Sequence, residues 1–459
     1  MNIFLIALML AAPITLAQEI FPSEVEKIVT PPAPAVEGPL FYANPEIQSI
    51  VIQGNNRTRE SVIRREVTLI PGDVFTEGEA LQTRKAVMSI GAFSDVDVEI
   101  ADPESATSDI LVSVTEFNFP LPYPIIGIDA SSGWYFGGGA LYPNLAGRGI
   151  RVDAGGEIGL RRSTPRWKGY TFVEAPVTYN RWHAERLAYV YSDFWRKDAA
   201  ITRREHRASY RQSVRPWRPL RLSLEAGFLQ VKAFDPHAGS LFLPPTFSPD
   251  TTDQSIFIQP GLTLDFRDDA LFPTKGALVV GSFCYNPGLK ETYQTQRACS
   301  LSVAGYYSIG KTVLAANIWT FQQIDSIPRY NTLYLGHARI VRGWADTCQV
   351  DQCLTVASFE VRRWFAGYDL PVIGELKVGG NLFFDMGAAH APGLPPLYLA
   401  DTRLDTHDGL LTGTGLGIAL EAIGFSVKAE IAWGIGAEEG ALAFIPVPIR
   451  FPVYFGWRF

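Results

Sequence analysis

The sequence predicts a mainly β chain: one small α+β domain of order β-α-α-β-β, then a transmembrane β-barrel of about sixteen strands, each about ten residues long. Three observations carry that expectation. An export-type leader opens the 459-residue chain. From about Phe119 onward apolar and polar residues alternate in segment after segment, with turns rich in Gly, Pro, Asn and Asp between them and no helical period. The chain closes on an apolar strand, "FPVYFGWRF", with no polar tail.

The leader reads "MNIFLIALMLAAPITLAQEI". Its apolar run ends in Thr15-Leu16-Ala17, small residues that a signal peptidase accepts, so residues 1–17 are read as a signal peptide cleaved after Ala17. The run starts without Lys or Arg, and a retained membrane helix is the competing reading, for which the run is short. Residues 18–44 contain "PPAPAVEGP" and read as an extended, semi-rigid leader.

Residues 45–118 read as the small mixed domain. "IQSIVIQG" is β-branched and stops at Gly54, which marks a strand. "NNRTRESVIRREV" offers Asn56 and Thr58 as caps ahead of Val62, Ile63 and Val67, a helical spacing. Thr76 and Glu79 form a capping box at the start of a second helix, which Gly91 ends. Val96, Val98 and Ile100 then alternate with acids, and Ile110, Val112 and Val114 alternate again, giving two strands.

Residues 119–459 carry the barrel pattern. "RVDAGGEIGL" sets Val152, Ala154, Gly156, Ile158 and Leu160 against Arg151, Asp153 and Glu157. "GLTLDFRDD" sets Leu262, Leu264 and Phe266 against Asp265 and Arg267, and "FSVKAEIAW" sets Phe425, Val427, Ala429, Ile431 and Trp433 against Lys428 and Glu430. A soluble sandwich turns the apolar face inward; a barrel turns it to lipid and keeps charges in a wet lumen. The leader, the number of segments and the terminal strand favour the barrel. In that strand Phe451, Val453, Phe455, Trp457 and Phe459 share one face, a hazard in water that closure against a first strand removes. The first strand is expected near Ile125 to Trp134 and the last near Val447 to Phe459. Beyond residue 20 no apolar run is long enough to span a bilayer as a helix.

Composition excludes several functions. A net charge of -7 and the lack of a long basic block argue against nucleic acid and against a polybasic membrane arm. G-x-S-x-G, H-E-x-x-H and P-loop motifs do not occur, so neither an enzyme nor a cofactor or metal is expected. "GTGLGI" at 413–418 lacks the spacing and the following helix of a dinucleotide loop; glycines facing a crowded lumen account for it better. Four cysteines in an exported chain suggest disulfides: Cys284–Cys299, flanking the polar turn "NPGLKETYQ", and Cys348–Cys353, close in one loop. Two free thiols are the alternative for each pair.

These segments resemble the BamA/TamA type of outer-membrane assembly and translocation factors, relatives of the two-partner secretion transporters. "IQGNN", "LIPGDVF" and "GAFSDVDVEI" resemble a single POTRA domain. "PNLAGRG" at 143–149, "LDFRDDALFPTKG" at 264–276, "VRGW" at 341–344, "SFEVRRWF" at 358–365 and "FFDMG" at 383–387 resemble the barrel that follows it. Each motif is weak alone; their order and spacing give the resemblance its weight.

The resemblance implies a sixteen-stranded barrel whose sixth extracellular loop folds back into the lumen, carrying Val341, Arg342, Gly343 and Trp344. It implies that Arg342 pairs with Asp385 of the Phe383–Asp385–Gly387 pattern and approaches Glu360. Alternation independently places both acids on the lumen side, Glu360 opposite Phe359 and Asp385 opposite Phe384. A buried guanidinium is costly unless carboxylates take its donors, which two acids can do. Phe455, Trp457 and Phe459 would form the terminal strand signal. The implied place is the outer membrane of a Gram-negative bacterium, with the POTRA domain in the periplasm. The implied function is insertion of unfolded β-barrel clients through a seam between first and last strands, with outer-membrane lipid and periplasmic accessory proteins as further partners. A pore exporting one secreted protein and a passive pore or structural barrel are the alternatives.

Overall fold

The computed structural model describes residues 44–455, apart from residues 89, 104 and 218 and segments 118–119, 130–132, 161–165, 177–182, 197–200, 235–243, 269–272, 337–339, 345–347, 371–373, 402–407, 423–424, 439–440 and 445–452. The expected signal peptide, nearly all of the Pro-rich leader, and Phe451, Trp457 and Phe459 lie outside the described residues.

The N-terminal domain follows the order expected from its periodicity: β1 (Glu46–Gln53), α1 (Glu60–Arg64), α2 (Glu77–Met88), β2 (Phe93–Ile100) and β3 (Thr107–Glu116). Its sheet runs β1-β3-β2, with β1 parallel and β2 antiparallel to β3. Ile47, Ile63, Phe75, Val87, Phe93, Val96, Ile110 and Val112 make its core. Thr76 caps α2 as expected: its Oγ1 accepts the Glu79 N–H at 3.2 Å, while the Glu79 carboxylate takes the Thr76 hydroxyl proton at 3.1 Å. Gly91, at φ 72°, ends that helix. Helix α1 departs from expectation. Arg59 takes its N-cap position without a side-chain cap, because the Thr58 hydroxyl is committed elsewhere, donating to Glu116 Oε1 at 2.6 Å.

A closed antiparallel barrel follows. Its strands are β4 (Leu121–Asp129), β5 (Gly133–Leu145), β6 (Ile150–Gly159), β7 (Arg166–Pro176), β8 (His183–Arg196), β9 (Ile201–Trp217) and β10 (Leu220–Phe234). Next come β11 (Thr252–Asp265), β12 (Gly276–Asn286), β13 (Gln296–Ile309) and β14 (Thr312–Gln323). The loop after β14 holds a 3₁₀ turn (Arg329–Asn331) and a small ribbon, β15 (Leu333–Leu335) with β16 (Gln349–Asp351). The wall resumes with β17 (Cys353–Leu370), β18 (Gly374–His390), β19 (Leu411–Ala422) and β20 (Phe425–Glu438). The sixteenth position is filled by two short segments, β21 (Ala441–Phe444) and β22 (Val453–Phe455), both paired to β20. The first barrel strand is thus Leu121–Asp129; Trp134 lies beyond the turn, at the start of β5, pairing with Ile128.

Alternation sorts the two faces. Leu187, Tyr189, Leu224, Ile258, Phe359 and Val361 are exposed on the outside, where lipid belongs, while Arg203, Glu205, Glu225, Glu360 and Asp385 are buried inside. The turn at 146–149 packs on the N-terminal domain, where the Arg59 N–H donates to the Gly147 carbonyl at 2.9 Å. That contact marks the domain-side end of the barrel.

The expected disulfides are not formed. Register pairs Phe283 with Cys299 and Cys284 with Ala298, so the thiols of Cys284 and Cys299 leave the sheet on opposite faces and cannot bridge. Cys348 and Cys353 are not joined either. Cys353 opens β17 with its thiol 3.7 Å from the Gln323 carbonyl, whereas Cys348 packs against the apolar cluster inside the loop.

Candidate functional site

The loop between β14 and β17 turns into the barrel, and Val341, Arg342 and Trp344 are all buried on the lumenal wall. Gly343 makes the turn possible. Its φ is 97°, and a Cβ there would come within 2.4 Å of the Trp433 backbone. On either side of it, Val341 and Trp344 join Trp319, Phe321, Leu333, Leu354, Val356 and Leu411 in one apolar cluster. The Trp344 indole N–H donates to the Thr412 carbonyl at 2.7 Å, so burying that ring leaves no donor unmet.

Arg342 is fully buried, and every edge of its guanidinium is occupied. Nε donates to Asp385 Oδ2 at 2.7 Å and Nη2 to Asp385 Oδ1 at 2.8 Å, a fork-on-fork pair. The Arg342 backbone N–H adds a third bond to Asp385 at 3.1 Å. Nη1 donates to Glu360 Oε1 at 2.8 Å and to Glu430 Oε1 at 3.0 Å. The Phe383 ring centroid lies 3.5 Å from the guanidinium carbon, a stacked cation–π contact. Ser358, paired in register with Asp385, donates to its Oδ1 at 2.5 Å.

The strands supply these groups by alternation: Ser358, Glu360 and Arg362 from β17, Asn381, Phe383 and Asp385 from β18, Lys428 and Glu430 from β20. Arg362 Nε donates to Glu360 Oε2 at 2.8 Å, and Lys428 Nζ lies 3.6 Å from Glu360 and 3.5 Å from Glu430. Asn381 donates to Glu430 at 2.8 Å. Three cations (Arg342, Arg362, Lys428) therefore face three carboxylates (Glu360, Asp385, Glu430). Such a balanced network offsets the desolvation of its members. Through Arg342 the network ties the loop to β17, β18 and β20.

Strand β19 has to be thin for this loop to dock. Gly413, Gly415 and Gly417 face the Arg342 carbonyl, the Phe383 ring and the Glu430 side chain in turn, and a Cβ at any of them would collide. Gly387 lies beside Val341, where a Cβ would approach the Val341 side chain to 3.1 Å.

Sequence reasoning named Val341, Arg342, Gly343, Trp344, Glu360, Phe383, Asp385 and Gly387, and the structure brings all eight together. It missed Glu430, Lys428, Ser358 and Asn381. Alternation had placed Lys428 and Glu430 on the polar face of their strand, but nothing local said which loop they meet. Phe455 stands in the short segment β22.

A second feature lies at the barrel seam. Strand β4 pairs with β5 without interruption from Leu121 to Asp129 and carries Pro122 and Pro124. The two prolines share parity, and an unbroken ladder needs the N–H groups of Tyr123, Ile125 and Gly127 directed at β5. The positions that lack an N–H therefore lie along the other edge, toward the terminal strand. That strand is irregular too: nine residues on from Phe444, Val453 stands only six residues back along β20 from the partner of Phe444. The chain between them contains Pro446, Pro448 and Pro452.

A third feature joins the two domains. Glu116, at the end of β3, accepts the Arg57 N–H, the Thr58 N–H at 2.7 Å and the Thr58 hydroxyl. Asn144, from the "PNLAGRG" turn, donates to Thr58 Oγ1 at 2.7 Å and accepts the Gly149 N–H at 2.8 Å.

Comparison with known proteins places these features in a family. Residues 45–116 match the POTRA family, described as a surface antigen variable number repeat, and residues 144–456 match the Omp85 superfamily domain. A 53-residue stretch is 36% identical to the outer membrane protein assembly factor BamA of Neorickettsia risticii (strain Illinois), covering 12% of this chain and 7% of that protein. BamA from Haemophilus ducreyi lacking POTRA domains 1–3 superposes with a TM-score of 0.62 at 14% identity, over 90% of this chain and 84% of that one. CdiB from Escherichia coli does so with a TM-score of 0.56 at 14% identity, over 97% of both chains. With the Omp85 match spanning well over half its length, the chain belongs to the Omp85 superfamily, an outer-membrane barrel with a POTRA domain on its periplasmic side.

Proposed function

We propose that this barrel assists the insertion of outer-membrane β-barrel clients through the seam between β4 and the terminal strand. The observation that carries this reading is the seam itself: Pro122 and Pro124 stand in β4, and β21 and β22 are offset in register along β20, with three further prolines in the sequence between them. A ladder short of donors leaves carbonyls for an incoming strand, and in lipid a client gains every backbone hydrogen bond it makes. The POTRA domain adds an open sheet edge suited to capturing extended segments by β-augmentation. Arg342 acts as a latch that keeps the loop on β17–β20 and so fixes the wall that ends at the seam.

The test is deletion of the chain followed by an outer-membrane proteome. A fall in several barrel proteins supports insertion; unchanged levels of all of them would sink it. The second reading, an export pore for one secreted protein, uses the same barrel and predicts that a single protein is retained in the periplasm while the barrel proteome stays constant.

A further inference from the structure

One register row on the lumenal face of β6–β11 reads Arg151, Glu174, Arg186, Arg211, Glu225, Gln259. It lies close to the periplasmic ends of these strands, one residue from the start of β6 and three from the start of β8. Arg186 and Arg211 stand directly opposite each other, an arrangement that is destabilising for like charges unless an anion lies between them. Each arginine has a carboxylate as its other register partner, Glu174 beside Arg186 and Glu225 beside Arg211, and Glu225 is already taken. Glu225 accepts Arg207 Nη2 at 2.7 Å, Arg211 Nε at 2.8 Å and Arg211 Nη2 besides.

Arg186 is 9% exposed and rests its guanidinium 4.3 Å from the Phe172 ring centroid. Among the described residues it makes no hydrogen bond or ion pair, and its Nε is buried without an acceptor, as is Nη1 of Arg207. Two residues up β6, Asp153 adds one more carboxylate, itself engaged by the Tyr123 hydroxyl at 2.5 Å. Four guanidiniums (Arg151, Arg186, Arg207, Arg211) thus face three carboxylates (Asp153, Glu174, Glu225), whereas the Arg342 network balances. The Arg211 side chain is 39% exposed, so the row opens to the lumen.

We propose that this row is a binding site for an oxyanion, the phosphate or carboxylate group of a ligand entering from the periplasmic end, held between the guanidiniums of Arg186 and Arg211. Two oxygens on one centre match the parallel N–H pairs of a guanidinium, and the buried donors of Arg186 and Arg207 gain the acceptors they lack.

The experiment uses the full chain in detergent micelles and follows the thermal unfolding midpoint. Sodium phosphate and sodium succinate are titrated against sodium chloride at equal ionic strength. A saturable rise with phosphate or succinate beyond that with chloride is expected. The larger response identifies the source, phosphate for a phosphorylated ligand and succinate for an acidic peptide or dicarboxylate. Glu225→Gln should tighten binding, since it frees Arg207 and Arg211. Arg186→Gln should abolish the rise, and Arg186→Lys, which keeps the charge but not the fork, should weaken it about tenfold, equivalent to about 1.4 kcal/mol. Equal responses to all three salts in the unmodified chain overturn the proposal, as does an undiminished rise in folded Arg186→Gln.

Discussion

The carbonyl oxygen of Arg342 lies where a side chain on Gly413 would begin: a Cβ built on that glycine would stand 1.8 Å from it. The loop therefore depends on a missing methyl group as much as on its charges. Gly413→Ala changes no charge and suits a strand locally, yet it must push the loop off β19. Expected outcomes are a barrel that still shows heat-modifiable migration, a loop newly open to protease between β14 and β17, and impaired client insertion. A loop as protected as in the unmodified chain would refute the docking argument.

Arg342→Ala removes the cation and leaves Asp385, Glu360 and Glu430 facing two remaining positive charges. Removing one partner of a buried pair costs about 3–5 kcal/mol. Because the loop can lift away and let water reach the acids, that cost falls on docking rather than on barrel closure. Arg342→Lys should recover little, since an ammonium cannot serve Asp385 in a fork while reaching Glu360 and Glu430. Protease sensitivity of the loop in the two variants, read beside barrel migration, checks both statements. Full activity in Arg342→Ala would dispose of the latch.

Much of this was legible because β-alternation is a local signal. Phe359, Glu360 and Val361 declare inside and outside from three adjacent letters, and the structure buries Glu360 while exposing its neighbours. The Thr76 cap on α2 was equally local. What stayed hidden was long-range. Glu430 lies 88 residues from Arg342 and Thr58 lies 86 from Asn144, and no periodicity relates residues so far apart. The disulfide expectation failed for a related reason: spacing placed Cys284 and Cys299 near each other, but the register across their hairpin decided the face, and a one-residue offset turned the thiols apart. Mass mapping without reductant should accordingly find neither a Cys284–Cys299 nor a Cys348–Cys353 bridge.

The Thr58–Asn144 contact makes a prediction about the POTRA domain. Thr58→Val keeps the shape and removes the hydroxyl that joins Glu116 to Asn144, leaving partners short of a bond at a cost of about 1–3 kcal/mol. Gly147→Ala attacks the same junction sterically, because its Cβ would lie 2.1 Å from the Arg57 carbonyl. Both should broaden the range of domain–barrel distances in solution scattering while the barrel itself is unchanged. Distances identical to the unmodified chain would mean that the docking rests on other contacts.

The seam prolines give the sharpest test of the insertion reading. Pro122→Ala with Pro124→Ala restores two N–H donors on the outer edge of β4, and each hydrogen bond regained contributes about 0.5–1.5 kcal/mol to closure. The paired strands also lose the fixed φ that proline imposes, so the ladder can extend. A barrel closed in this way should be harder to unfold and slower to insert clients, two effects that move in opposite directions. Increased stability with undiminished client insertion would show that clients do not pass through this seam. Reduced insertion with reduced stability would point to damage instead, so the unfolding midpoint and the insertion rate have to be measured on the same preparation.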